Sequence, residues 1–392
     1  MARDVVILDG ARTPIGSFLG ALSTLPPTAT AAHVTRAALE RADVAPDRIG
    51  HAVFGHVINT EPRDMYLSRV ACIDSGIPDT TPAMNVNRLC GSGAQALVSA
   101  VQSLAMGDAD YALAGGAEAM SRSPHAMQNR TGVKMGDAAV VDMMIGALSC
   151  PFGTGHMGVT AENVAAEHQI TREEQDAFAL ESQQRAGAAM EAGHFAGQIA
   201  PVTIKTRKGD IVVDTDEHPK PATSADDLAR LRPVFKKDGT VTAGNASGIN
   251  DGAAAIVLAD AETAARDNRA VRARVLGYAH AGVRPEVMGL GPIPAVSKLL
   301  ERLGLTKDDF DVIESNEAFA AQACAVNKGL GLDTAKVNPN GGAIALGHPI
   351  GATGAVLVLK CLAELERTET KRGLVTMCIG GGQGIAVALE RP

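Results

Sequence analysis

The stretch from Val86 to Met106 reads VNRLCGSGAQALVSAVQSLAM. Its first residues close a short apolar run of strand character, Asn87 to Gly93 form a glycine-broken turn, and the rest continues as a helix from about Gly91 to Met106. Strand, turn and helix in that order are the unit of an α/β protein. Outward from this stretch the unit recurs: DVVIL at 4–8, a helical pattern around Thr28–Arg41 and HAVFGHVI at 51–58 lie upstream, and YALAGG at 111–116 lies downstream. This alternation predicts a mostly parallel sheet with helices on its faces.

From about Val271 the same rhythm returns. Leu39-Glu40-Arg41 followed by Asp47 is echoed by Leu300-Glu301-Arg302 followed by Asp308, both 261 positions later. Val86-Asn87 is echoed by Val337-Asn338, and Ala114-Gly115-Gly116 by Ile379-Gly380-Gly381. The unbroken order of the matches predicts an internal duplication. A first half occupies 1–119 and is completed by about 245–270, and a second half occupies 271–392. Between them, 120–244 changes texture to Met-rich loops, the helical stretch TREEQDAFALESQQRAGAAMEAG and a charged segment, and reads as an inserted subdomain.

At 392 residues with 46% hydrophobic and 20% charged residues, the chain is too long for a lone binding module and too apolar for disorder. It holds 42 glycines and no Trp, so its core is aliphatic, with backbones in close contact. A net charge of −8 disfavours nucleic acid and anionic membranes as partners. An anionic ligand would need a local basic patch, and the insert supplies Lys205, Arg207, Lys208, Lys220, Arg230, Arg232, Lys236 and Lys237, which otherwise simply solvate a surface. The start MARDVVIL lacks a secretory h-region, and no stretch is apolar enough to span a bilayer. Six scattered cysteines fit neither a disulfide framework nor a metal site, so the expectation is a cytoplasmic protein with reduced thiols and no metal.

Four segments carry chemistry. Cys90 precedes a helix, where free N–H groups and the positive dipole end should lower its pKa and make it a nucleophile, and Gly91 and Gly93 would let a ligand approach. The bland alternative is a small buried hydrophobe. His348 stands among Gly341, Gly342, Gly347, Gly351 and Gly354, costly backbone to order unless something comes close, and it could serve as the base of a Cys/His pair. No GxxxxGK[ST] motif and no GxGxxG after the first strand is present, which argues against nucleotide-dependent chemistry. Cys378 precedes Gly380-Gly381-Gly382, where the duplication sets it against the apolar Leu113. In Ser315-Asn316-Glu317, Asn316 offers an amide to an oxyanion, and Glu317 reads as a possible helix-capping carboxylate.

These motifs, with ARTPIG at 11–16, GHMG at 155–158 and GNASG at 244–248, resemble the thiolases (acetyl-CoA C-acyltransferases, β-ketothiolases) over essentially the whole chain. The resemblance implies a thiolase fold, two βαβαβαββ halves in a five-layered αβαβα sandwich with an inserted CoA-binding loop domain, usually a homotetramer. It implies condensation of acetyl-CoA with acetyl-CoA or a short acyl-CoA and the reverse thiolysis of 3-ketoacyl-CoA, ping-pong through an acyl-Cys90, with CoA as substrate and no cofactor. It makes His348 the activating base, Cys378 the handler of the α-proton, Asn316 the holder of one oxyanion site, and the N–H groups of Cys90 and Gly380 a second. It places Leu148, His156, Met157, Lys220, Leu231, Phe235, Ala243, Ser247, Met288, Ala318 and Phe319 along the CoA path. His156 resembles the short-chain biosynthetic branch. Lys220, where relatives carry Arg, and Asp227, where some carry Ser, depart from the pattern, so the nucleotide contacts differ there. The rival functions are a degradative medium- or long-chain thiolase, a β-ketoacyl synthase, which would normally show a second histidine in place of Cys378, and a non-catalytic acyl-CoA carrier, against which the presence of Cys90 and His348 speaks.

Overall fold

The first half runs β1 (Val5–Arg12), α1 (Pro27–Arg41), β2 (His51–Gly55), α2 (Leu67–Asp74), β3 (Ala83–Val86), α3 (Ser92–Met106), β4 (Tyr111–Ala119) and, after the insert, β5 (Asn250–Asp260) in a computed structural model that describes residues 3–392. The second half runs β6 (Ala273–Gly282), α6 (Pro292–Leu303), β7 (Val312–Ser315), α7 (Ala320–Leu330), α8 (Thr353–Arg367), β8 (Arg372–Ile379) and β9 (Gln383–Glu390). Both follow βαβαβαββ, except that the third strand of the second half is reduced to a parallel bridge between Ile313 and Val337. The insert carries α4 (Met157–His168) and α5 (Arg172–Glu191), the latter begun by a capping box in which Thr171 and Glu174 bind each other's backbone N–H.

The strands join in one path, β7-β8-β9-β6-β1-β5-β4-β2-β3, with the two-residue strand Gly16–Ser17 beside β5. The expectation of a mostly parallel sheet is corrected. Only β2–β3, β2–β4 and β7–β8 are parallel, whereas β4–β5, β5–β1, β1–β6, β6–β9 and β9–β8 are antiparallel. The cause is the last ββ of each half: the Gly380–Gly382 turn folds β9 straight back on β8, and β5 returns from the insert against β4.

Residues of the central strands are buried on both faces, so they sort by parity. Val5 and Ile7 of β1 join the same apolar cluster as Leu97 and Leu359 of α3 and α8, while Val6 and Leu8 join the cluster under α1 and α2. Met377 and Ile379 of β8 face α8, while Leu374 faces α6 through Leu299. The layers are therefore α1/α2, the first half's strands, α3/α8, the second half's strands, and α6/α7.

The duplication also acquires a register. Helices α3 and α8 start 261 residues apart, and Ala52 pairs with Leu113 as Ile313 pairs with Leu374. Leu113 thus corresponds to Leu374, and Cys378 corresponds to Ala117, which corrects the match read from the glycine doublets. In the same register Gly351 mirrors Cys90 and Gly55 mirrors Asn316. At the mirrored place the backbones close up, for a Cβ on Gly55 would stand 2.6 Å from Gly351 O.

Candidate active site

Cys90 sits in the turn between β3 and α3. Leu89, just before it, has φ 46°, a left-handed conformation that costs a leucine ~1–3 kcal/mol and must be imposed by its surroundings. The hydrogen bonds that impose it are local: Leu89 N donates to Asn87 Oδ1 (2.9 Å), Arg88 N to Ser92 Oγ (2.9 Å), and Ser92 Oγ to Leu89 O (2.6 Å). The glycines beside Cys90 serve packing rather than ligand approach, which corrects the sequence reading. A Cβ on Gly93 would lie 2.7 Å from Ala355 N of α8, and one on Gly91 would meet the Ile379 side chain. Helices α3 and α8 cross backbone to backbone, and that crossing brings the Cys90 turn beside the His348 loop.

His348 is buried and anchored on two sides. Its N–H donates to Asn250 Oδ1 (2.8 Å), and its Nδ1 lies 2.7 Å from Thr353 Oγ1. The Thr353 hydroxyl already gives its one proton to Pro349 O (2.9 Å), so it accepts from Nδ1–H, and Nε2 is left with its lone pair. Asn316 Nδ2 donates toward that Nε2 at 3.4 Å. Burial lowers His348 to about 4, so the imidazole is neutral at neutral pH. The loop is tied to the first half by Gly351 N, which donates to the buried Glu118 carboxylate (2.9 Å).

The expected lowering of the Cys90 pKa is not found. Burial pushes the thiol up to about 11, against the smaller downward pull of the backbone N–H groups of Gly380 and of Cys90 itself. Both N–H groups act on the sulfur and favour its thiolate, though less than burial disfavours it. Cys378 is fully buried behind, clustered with Met157, Met288, Ala318 and Phe319, and is raised by burial and then by Cys90. Glu317 does not cap α7, whose N-cap is Phe319; it binds Ser182, Asn338 and Ile344 instead.

Cys90 and His348 both line a mainly apolar cavity of about 570 Å³. Leu148, His156, Met157, Lys220, Phe235, Ala243, Ser247, Met288, Ala318 and Phe319 line it too. Asn316, Cys378 and Gly380 do not line it but touch residues that do, Asn316 at His348 and the other two at Met157. Leu231 does not line it; its side chain packs over Gly244. His156 stacks on Phe235 at 4.7 Å with Nδ1 accepting from Gly158 N, and Phe235 meets Phe319 edge-on at 6.2 Å. Asp227 is explained locally, since it closes a capping box with Ser224. Sequence reasoning missed Ser17, Phe18, Met120, His218, Ile249 and Ile350 on the cavity wall. Of these only His218, among the basic residues before Lys220, carried a legible signal.

Sequence models of the thiolase family match both halves, the thiolase N-terminal domain over residues 5–262 and the thiolase C-terminal domain over residues 269–391. The chain is 58% identical over 393 residues to the beta-ketothiolase BktB of Cupriavidus necator, with 100% of each chain covered. It is 49% identical over 394 residues to an acetyl-CoA acetyltransferase of Thiocystis violacea, again with 100% of each covered. Among solved structures, that of the Bacillus anthracis acetyl-CoA acetyltransferase superposes with a TM-score of 0.98 at 43% identity, covering 100% of this chain and 99% of that one. On these matches and on the duplicated fold that brings the Cys90 turn against the His348 loop, the chain belongs to the thiolase family of acyltransferases.

Proposed function

We propose that this protein condenses acetyl-CoA with acetyl-CoA or a short acyl-CoA and catalyses the reverse thiolysis of 3-ketoacyl-CoA, ping-pong through acyl-Cys90. The observation that carries this reading is one apolar cavity walled by Cys90 and His348, with the Asn316 amide 3.4 Å from the lone pair of His348 Nε2. Cys90 Sγ attacks the thioester carbonyl as its proton passes to Nε2, and the oxyanion accepts from the N–H groups of Cys90 and Gly380. CoA leaves with the proton of Cys378. That thiolate, a strong base because burial disfavours its charge, takes the α-proton of the second acetyl-CoA. The enolate oxygen accepts from imidazolium Nε2–H and the Asn316 amide while the enolate carbon attacks the acyl group. Cys90 departs and recovers its proton from His348. These steps balance with CoA as substrate and call for no cofactor.

The aromatic and methionine walls fit a pantetheine arm, and Lys220 and His218 at the same cavity fit its anionic end. We further infer a homotetramer in the cytoplasm. The sheet edge at β3 exposes Met84 with Met65 and Tyr66 nearby, apolar surface suited to self-association, and all six cysteines are free thiols, as a reducing compartment keeps them. No described helix is long and apolar enough to cross a membrane. The test is intact mass after incubation with acetyl-CoA. Wild type should gain one acetyl group on Cys90 and Cys90→Ala none, and acetylation of another residue overturns the reading. Sedimentation gives the number of chains, and thiolysis of a ladder of 3-ketoacyl-CoAs gives the chain length.

A further inference from the structure

Glu317 takes no part in those steps, yet its carboxylate is buried and engaged on both oxygens. Oε2 accepts from Ser182 Oγ (2.6 Å) and Ile344 N (3.2 Å), and Oε1 accepts from Asn338 Nδ2 (2.8 Å). The donors come from three pieces of chain: α5 of the insert, the reduced third strand, and the short helix Ala343–Leu346 that runs into His348. Ser182 Oγ also accepts from Gly342 N (3.1 Å), and a Cβ on Gly342 would run into the Glu317 carboxyl group. On the other side of Asn316, the Asn338 amide brackets Ser315, accepting from its N–H (2.9 Å) and donating to its carbonyl (2.8 Å). Asn316 is thus held by both chain neighbours against segment 338–344. The buried cation nearby, Lys360, is bound to Glu314 and Gly341 O, at 2.7 Å each, rather than to Glu317. Burying a carboxylate without its own cation is costly, and the fold keeps one where the Asn316 turn meets the approach to His348.

We propose that Glu317 is a positioning residue, its carboxylate clamping the Asn316 turn to segment 338–344 so that the Asn316 amide keeps its spacing from His348 Nε2. The proposal rests on the assignment of Asn316 and His348 made above. Misplacing the amide by about 1 Å in Glu317→Ala should lower kcat for condensation ~10²-fold, with KM for acetyl-CoA little changed. Glu317→Gln, which keeps the acceptor for Ser182 and Ile344 but sets an NH2 against Asn338 Nδ2, should recover part of that loss. With no amide left to place, Glu317→Ala in an Asn316→Ala background should add less than about twofold. Losses that multiply independently, or a Glu317→Ala enzyme with wild-type kcat, overturn the proposal. If Glu317→Ala does not fold, Ser182→Ala carries the test: a ~3- to 10-fold loss confined to the background with Asn316 supports the clamp, and the same loss in both backgrounds overturns it. Undiminished condensation by Asn316→Ala overturns the underlying assignment and the proposal with it, a result distinct from failure of the clamp alone.

Discussion

Replacing Thr353 by Val preserves the branched shape of a buried side chain and removes the hydroxyl 2.7 Å from His348 Nδ1, together with its donation to Pro349 O, which still accepts from the N–H groups of Ala352 and Thr353. In the resting enzyme the bond joins two neutral groups. When Cys90 attacks, its proton moves to Nε2, the ring becomes imidazolium, and the same bond becomes charge-assisted. Water does not replace the lost acceptor, because both residues are buried. A hydrogen bond to a charged group contributes ~1.5–3 kcal/mol against ~0.5–1.5 for the neutral bond lost from the resting state, and the difference of about 1–1.5 kcal/mol should slow acylation by roughly 5- to 13-fold. The assay is a rapid-quench time course of acetyl-Cys90 formation under single-turnover conditions, read by intact mass. Thr353→Ser, which keeps the hydroxyl, should run close to wild type. A Thr353→Val enzyme that acylates within twofold of wild type, or a serine variant as slow as the valine one, would refute the assignment of Nδ1–H to Thr353 and of Nε2 to the base.

Cys378→Ser should still form acetyl-Cys90, though more slowly because CoA leaves without the thiol's proton, and should fail at condensation and at α-proton exchange, since a serine hydroxyl is far less acidic than a thiol; deuterium washout from labelled acetyl-CoA checks it, and retained washout rules out Cys378 as the base. Gly93→Ala puts a Cβ 2.7 Å from Ala355 N, so denaturant unfolding should show a loss of ~1–3 kcal/mol or more, and a wild-type midpoint would contradict the backbone crossing of α3 and α8. The pH dependence of stability follows from His348, whose folded pKa of about 4 lies below the unfolded 6.5. The unfolded chain therefore takes up this proton first as pH falls, and stability present above pH ~6.5 is lost between there and about 4. Relative to His348→Asn, wild type should lose ~2–3 kcal/mol between pH 7 and 4.5, and an unchanged difference across that range would show that the ring is not held neutral.

The sequence by itself determined the elements, because a glycine-broken turn ending an apolar run and opening a helical one is local information. Strand, turn and helix around Cys90 and the onset of α5 at Thr171 were legible for that reason. It determined the duplication, since repeated fragments keep their order, and it carried the resemblance from which Cys90, His348, Cys378 and Asn316 were named together. Only the tertiary structure decided what those residues experience. The helix start at Cys90 argues for a lowered thiol pKa, yet burial sums over every element packed around the sulfur and outweighs the two N–H groups beside it. The glycines of both turns read as room for a ligand, yet the space at Gly93 and Gly351 is filled by α8 and by Glu118. Strand direction was misread because composition fixes a strand's character and not which neighbour it pairs with. Glu317 looked like a capping residue because a carboxylate near a helix start usually is one, and its partners Ser182, Asn338 and Ile344 lie 21 to 135 positions away, a separation that only the folded chain closes.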